Sequence, residues 1–83
     1  MNKLSQWDKL IQRILSKDKG LRFEDLEKAL IKVGYTKNQP KSGSSHYTFR
    51  KVNCKPITIP KHQPLNRAYI ELVRDIIKDE MED

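Results

Sequence analysis

Apolar residues change their spacing twice along this chain, and this change limits the folds that the chain can adopt. Towards both ends, apolar side chains recur every three or four residues, which is the spacing of an amphipathic helix. Between these regions they alternate with polar residues, which is the period of a half-buried strand. The spacing therefore predicts helices at both ends and strands in the middle.

Three segments have helical spacing. Ser5 and Asp8 form a sequence typical of a capping box at the start of the first helix, and Asn66 is the predicted cap of the last. Gly34 stands where the second helix is expected to end. Gly20 is predicted to supply a left-handed turn between the first and second helices. The apolar residues of these helices are Trp7, Leu10, Ile11, Ile14 and Leu15 (residues 5–16); Phe23, Leu26, Leu30 and Val33; and Tyr69, Leu72, Val73, Ile76 and Ile77.

Alternating residues predict two strands joined by the turn sequence VNCKP. Tyr47 and Phe49 alternate with polar residues before the turn, and Ile57 and Ile59 alternate after it. A weaker first strand is predicted over residues 35–40.

The resulting order, α-α-β-β-β-α, predicts an α+β fold in which a three-stranded antiparallel sheet packs one face on the helices. With 83 residues, the chain is expected to form a single domain with a thin core. Because Tyr47 and Phe49 must face the helices, alternation places His46, Thr48 and Arg50 on the opposite face of the sheet.

The middle of the chain is basic and contains no acid. The net charge is +6, and residues 35–67 contain seven Lys or Arg and no Asp or Glu. This distribution favours a polyanionic partner, of which nucleic acid is the commonest, although a solvated lysine-rich surface is the alternative. The seven basic residues are Lys37, Lys41, Arg50, Lys51, Lys55, Lys61 and Arg67.

Other features of the composition indicate a cytoplasmic location. Cys54 is the single cysteine, so an internal disulfide is excluded and a reducing compartment is favoured. No signal peptide and no transmembrane span are expected, because no apolar run is longer than three residues. We expect a small soluble domain without a membrane partner.

Three short motifs resemble, in order, those of the HicA toxins, the mRNA-cleaving members of the HicA–HicB toxin–antitoxin systems. The similarity runs from about Leu21 to Ile77. The chain would then be a single HicA-like domain, residues 1–83, in which residues 1–20 add an N-terminal helix to a core of residues 21–83. The motifs are a helix ending in Gly34-Tyr35, the strand sequence Gly43-Ser44-Ser45-His46, and a strand closing in Pro60-Lys61-His62.

The resemblance implies a fold like that of a double-stranded-RNA-binding domain. It also implies endoribonuclease activity on mRNA with His46 as the catalytic group, and a HicB-like antitoxin that masks this site.

His46 suits RNA cleavage for a reason that is independent of the resemblance. The ribose 2′-OH is an internal nucleophile beside the phosphate, so cleavage needs proton transfer and charge neutralisation but no metal ion. An imidazole transfers protons near neutral pH. We therefore expect transesterification without a metal or a small-molecule cofactor; taken without the motifs, an exposed structural histidine is the alternative.

Basic and small residues near His46 are the expected RNA contacts, through their charges, hydroxyl groups and close backbone approach. His62 is either a second acid–base group or phosphate ligand, or a residue that holds the start of the last helix. The expected RNA contacts are Lys41, Gly43, Ser44, Ser45, Arg50, Lys51 and Lys61.

The sequence allows three other interpretations. A non-catalytic RNA-binding module of the same fold is the main alternative. A DNA-contacting regulator is disfavoured because the basic segment is predicted as strands and turns. A zinc site of His46, His62 and Cys54 is disfavoured because the chain has no CxxC or HxxxH spacing.

Overall fold

The computed structural model describes residues 5–38, 45–61 and 65–81, and it confirms the α+β class and the predicted order of elements. The sheet is antiparallel with strand order β1-β2-β3. None of the helices in these ranges is both long enough and apolar enough to cross a membrane. The elements are α1 (Gln6–Leu15), α2 (Phe23–Lys32), β1 (Thr36–Asn38), β2 (His46–Arg50), β3 (Ile57–Pro60) and α3 (Arg67–Met81).

The helices begin and end where local hydrogen bonding dictates. In the capping box of α1, the Asp8 N–H donates to Ser5 Oγ at 3.1 Å and the Ser5 N–H donates to the Asp8 carboxylate at 3.3 Å. Before α3, the Ala68 N–H donates to Asn66 Oδ1 at 2.8 Å. Gly34 follows α2 with φ at 108°, a conformation that would strain any residue with a side chain. These three predicted helix ends are confirmed.

The left-handed residue between α1 and α2 is Lys17, with φ at 56°, so the prediction of Gly20 was wrong. The Lys17 N–H donates to the Ile14 carbonyl at 3.0 Å, which turns the chain at the end of α1. The Asp18 carboxylate then accepts the Gly20 N–H at 2.7 Å and the Arg13 guanidinium at 3.3 Å. The Gly20 hydrogen bond, followed by the contact with Arg13, lowers the pKa of Asp18. A side-chain hydrogen bond therefore shapes this turn where glycine was expected to do so.

Strand β2 is the centre of the sheet, and its register separates the two faces. Tyr47 lies opposite Ile59 and Phe49 opposite Ile57. These four side chains project towards the helices, because residues paired directly across a sheet share a face. The predicted alternation is therefore confirmed.

Aromatic contacts join the inner face of the sheet to α2. The Phe23 ring centroid lies 5.2 Å from that of Tyr47 and 6.2 Å from that of Phe49. Both tilts, 48° and 45°, are within the geometry that aromatic pairs favour. The buried apolar core consists of Ile11, Ile14, Leu21, Phe23, Leu26, Ala29, Leu30, Tyr35, Phe49, Ile57, Ile59, Ile70, Val73 and Ile77.

The outer helices complete this core. Ile11 and Ile14 of α1 are buried in it, so the N-terminal helix is an integral part of the packed domain. In α3 the fully buried stripe is Ile70, Val73 and Ile77, whereas Leu72 is 41% exposed. The period of 3.6 residues explains the difference, since Leu72 lies about 100° around the helix from Val73.

Alanine substitutions at Leu30 and Ile31 test the packing of α2, because these neighbours are 0% and 49% exposed. Leu30→Ala leaves a cavity in the core and is expected to lower the free energy of unfolding by about 2–5 kcal/mol. Ile31→Ala is expected to lower it by less than about 1 kcal/mol. Urea denaturation followed by circular dichroism measures both, and equal losses would contradict this orientation of the helix.

Candidate nucleic-acid interface

One face of the sheet carries no helix from the described part of the chain, and we call it the outer face. Its residues alternate with the inward-facing ones in all three strands. All of them are exposed except Thr48, which is half-buried, and Pro60, which is buried. They are Thr36, Asn38, His46, Thr48, Arg50, Thr58 and Pro60.

His46 is the first residue of the central strand and is exposed. Its partner across the strand pair is Pro60, which is buried, so the imidazole lies beside an apolar ring. The Ser45 carbonyl, one residue earlier, accepts the Lys61 N–H at 2.7 Å. This hydrogen bond continues the pairing of β2 and β3 and holds the backbone on which His46 is mounted. The outer position of His46 agrees with the sequence analysis.

A row of threonine hydroxyl groups runs along the outer face from the middle of β2 to its Arg50 end. The Thr48 and Thr58 Oγ1 atoms are 3.1 Å apart and share a hydrogen bond. Thr36 Oγ1 donates to the Arg50 carbonyl at 3.2 Å. Hydroxyl groups of this kind commonly contact phosphate or ribose oxygens. Thr36 and Thr58 are members of this face that were not predicted from the sequence, although the alternation of Ile57 and Ile59 already implied the position of Thr58.

Arg50 lies on the outer face at the other end of β2 from His46. Arg50 is four positions along the strand from His46, which is about 13 Å at the usual rise. Arg50 forms no ion pair with another described residue. A strand of nucleic acid on this face would meet the guanidinium and the imidazole at different nucleotides.

Lys51, a predicted RNA contact, is instead held by the two helices behind the sheet. Its ammonium donates to the Val33 carbonyl at 2.8 Å and to the Glu80 carboxylate at 2.8 Å. It also lies 5.8 Å from the centroid of the Tyr35 ring. The end of α2, the end of α3 and the β2–β3 hairpin therefore meet at this ammonium, which is occupied in joining them.

Lys61 also points towards the helices. Its ammonium lies 3.7 Å from the Glu24 carboxylate and 5.9 Å from the centroid of the Phe23 ring. Because it directly follows β3, it lies at the edge of the sheet beside the start of α2. The structure does not bring Lys51 or Lys61 together with His46 on the outer face.

The helices supply carboxylates to the basic segment that has none of its own. Of the six basic side chains of this segment that the structure describes, four pair with acids of α2 or α3. These ion pairs neutralise much of the positive charge that the sequence predicted for the sheet. Arg50 is the cation that remains on the described part of the outer face. The pairs are Lys37–Glu27 at 2.6 Å, Lys51–Glu80 at 2.8 Å, Lys61–Glu24 at 3.7 Å and Arg67–Glu71 at 3.5 Å.

Several predicted site residues cannot be placed, because they lie outside the described residues. They are the second histidine and three residues of the segment just before β2, namely His62, Lys41, Gly43 and Ser44. Ser45 is described and is exposed. The predictions for the undescribed four remain predictions.

A zinc site that contains both His46 and Cys54 is excluded by distance. His46 begins β2, and Cys54 lies in the turn beyond the other end of that strand. The length of β2 alone separates them by about 13 Å, far beyond a shared coordination sphere. No group of three metal-binding side chains occurs among the described residues.

Tyr35 is a buried titratable group beside this turn, with 6% of its surface exposed. Burial raises the pKa of its hydroxyl above the ordinary value, and the neighbouring Cys54 thiol and Glu80 carboxylate raise it further. A buried hydroxyl keeps its proton because the charged form is poorly solvated there. Tyr35 is therefore a core residue.

Alanine substitutions at Lys51 and Arg50 separate the structural cation from the exposed one. Lys51→Ala removes hydrogen bonds to Val33 and Glu80 and is expected to lower the free energy of unfolding by about 1–2 kcal/mol. Arg50→Ala is expected to change it by less than about 0.5 kcal/mol, because the side chain is exposed. Urea denaturation measures both; an equal effect would mean that Lys51 does not join the helices.

Tyr35→Phe is expected to reduce the loss of stability at alkaline pH. Above the ordinary pKa of 10.0, the unfolded tyrosine loses its proton while the folded one keeps it, so the parent loses stability as the pH rises. The variant lacks this group. The free energy of unfolding, measured on both sides of pH 10, tests the difference, and parallel curves would contradict the shift.

No family model, curated protein or solved structure gives a significant match to this chain. Its similarity to the HicA toxins therefore rests on the three short motifs and their order along the chain.

Proposed function

We propose that this protein is a HicA-like endoribonuclease that cleaves mRNA through His46 without a metal ion. One observation carries the proposal: an exposed imidazole begins the central strand, on a sheet face that no described helix covers. One of the three motifs that resemble the HicA toxins contains His46, and another contains Pro60, the residue paired with His46 across the strands. Arg50 and the threonine hydroxyls of that face are the accompanying phosphate and ribose contacts.

The reaction is a transesterification within the RNA. The 2′-oxygen attacks the adjacent phosphorus, its proton passes to the neutral His46 imidazole, and the bond from phosphorus to the 5′-oxygen breaks. The leaving 5′-oxygen takes up a proton, from the imidazolium, from water or from a second group such as His62. The products are a 2′,3′-cyclic phosphate and a 5′-hydroxyl. General acid–base catalysis of this kind typically contributes ~10²–10⁴-fold.

The architecture agrees with the double-stranded-RNA-binding-domain fold that the resemblance implies. Helices pack on one side of a three-stranded antiparallel sheet, and α3 follows the last strand. We propose that fold for the residues from Leu21 onwards, with α1 as an addition that enlarges the core.

A HicB-like antitoxin is the proposed protein partner, bound over the outer face so that it covers His46. A cytoplasmic location follows from the proposed mRNA substrate. An acidic surface on the antitoxin would complement Arg50, whereas the acidic α3 lies behind the sheet, where it pairs with Lys51.

A non-catalytic RNA-binding module is the second candidate. The observation that favours it is that His46 is the one acid–base side chain on the described outer face, where threonine and asparagine predominate. Such a face can hold RNA without cleaving it.

Substitution of His46 distinguishes the two candidates. The parent protein is expected to cleave a single-stranded RNA with or without chelator, and His46→Ala to bind it equally but to lose cleavage by at least about 10²-fold. The products are expected to carry 2′,3′-cyclic phosphate ends, which end-group analysis by mass spectrometry detects. His62→Ala in the same assay decides whether the second histidine takes part.

Lys55→Ala is the matched control, because Lys55 is exposed in the turn beyond the strand. Cleavage that stops with chelator, or that yields 5′-phosphate ends, would rule out the transesterification. Binding without cleavage by the parent would favour the RNA-binding module.

A further inference from the structure

A hollow of about 390 Å³ lies between α1 and α2, in the helical layer and apart from the outer face. Trp7 and Leu10 of α1 and the stems of Lys28 and Lys32 of α2 line it. Trp7 and Leu10 are both partly buried against the core, so the floor of the hollow is apolar and well supported. Its volume is near the lower end of the ~300–1,000 Å³ that is usual for ligand pockets, which suits inserted side chains.

The apolar surface continues along α2. A second hollow adjoins the first and shares Lys28 and Lys32 with it, and Ile31 lines its floor. Ile31 is 49% exposed, so it contributes apolar surface to the second hollow. We call the joined hollows the α1–α2 groove, defined by Trp7, Lys9, Leu10, Lys28, Ile31 and Lys32.

The carboxylates around the groove already have partners. Glu24 pairs with Lys61 at 3.7 Å, and Glu27 pairs with Lys37 at 2.6 Å. Asp25 accepts a backbone N–H from the residue before α2 at 2.9 Å. The negative charges at the groove are therefore directed towards the sheet or engaged in capping.

The lysines of the groove have no such partners. Lys9, Lys28 and Lys32 form no ion pair with any described residue. The Lys32 ammonium lies 5.9 Å from the Trp7 ring centroid, in a cation–π contact. Asp25 lines the first hollow and keeps its charge when it accepts the N–H, so it offsets one of the three lysines and leaves a surplus of positive charge beside the exposed apolar surface.

We propose that the α1–α2 groove binds an acidic segment of a partner protein. An apolar side chain of the segment sits between Trp7 and Leu10, another contacts Ile31, and carboxylates face the three lysines. Grooves between helices commonly receive amphipathic segments in this way, and the charge pattern selects acidic ones. RNA is the less suitable occupant because Lys32 already lies over the Trp7 ring on which a base would stack. This surface does not depend on ribonuclease activity.

Trp7 makes the test direct, because it is the single tryptophan of the chain and lies in the groove. The probe is a synthetic peptide with Leu at helical spacing among Glu and Asp, without Trp or Tyr. Addition of this peptide is expected to shift Trp7 fluorescence to shorter wavelength in a saturable way, and added salt to weaken the effect. An otherwise identical peptide with Gln and Asn in place of its acids is expected to bind more weakly.

Charge reversal on both walls locates the site. The double variant Lys9→Glu/Lys28→Glu is expected to weaken peptide binding by about tenfold or more, because attraction becomes repulsion. Lys19→Glu/Lys55→Glu is the matched control, since it makes the same change in net charge at exposed positions away from the groove. The control is expected to bind as the parent does.

A second pair of variants tests the apolar contact. Ile31→Ala is expected to weaken binding several-fold, while Leu72→Ala, at a similarly exposed residue of α3, leaves it unchanged. Circular dichroism of all four variants confirms that they remain folded. Since neither pair touches His46, the RNA-cleavage assay reports separately on the proposed ribonuclease.

Four results would overturn the proposal. Two concern the peptide: no change in Trp7 fluorescence on adding the acidic peptide, and equal binding of the Gln/Asn peptide. The third is a shift of Trp7 fluorescence when single-stranded RNA replaces the peptide. The fourth is a shift of Trp7 fluorescence with protein concentration, accompanied by a dimer in sedimentation. The last two would assign the groove to RNA or to a second copy of this chain.

Discussion

The contact of Phe23 with Tyr47 and Phe49 is the interaction on which the rest of the structure depends. It seats the central strand on the first turn of α2 and, because strand residues alternate, it directs His46 and Arg50 to the opposite face. A slip of one residue in β2 would exchange the two sets and bury the imidazole against the helices. The position of the proposed catalytic group is therefore a consequence of aromatic packing on the other side of the sheet.

Helix α2 also decides the charge of the sheet. Its carboxylates reach both edges, since Glu27 pairs with Lys37 in β1 and Glu24 with Lys61 after β3. These pairs are partly exposed, so each adds little stability, but together they orient the edges on the helix. What remains on the outer face is a lightly charged, hydroxyl-rich surface with Arg50 at one end. This surface differs from the lysine-rich one that the sequence predicted, because the described lysines of the basic segment pair with α2 and α3 or lie in the turn after β2.

Helix α1 links the two proposed binding surfaces to one core. Its inner side supplies Ile14 to the core that also supports β2, and its other side supplies Trp7 and Leu10 to the α1–α2 groove. The outer face and the groove lie in different layers of the domain, the sheet and the helices. An RNA strand on one and an acidic segment in the other would not compete for the same residues.

The sequence alone determined the elements and the faces, because hydrophobic spacing, capping residues and strand alternation are local properties. The capping box at Ser5, the glycine at Gly34 and the outward position of His46 all followed from such patterns. The tertiary structure alone decided which charges are available, since the partners of Lys51 and Lys61 come from helices distant in sequence. It also placed the threonine row and the α1–α2 groove, because both are formed by residues of different elements. The number of basic residues in a segment does not show which of them are paired with acidic residues from other parts of the chain.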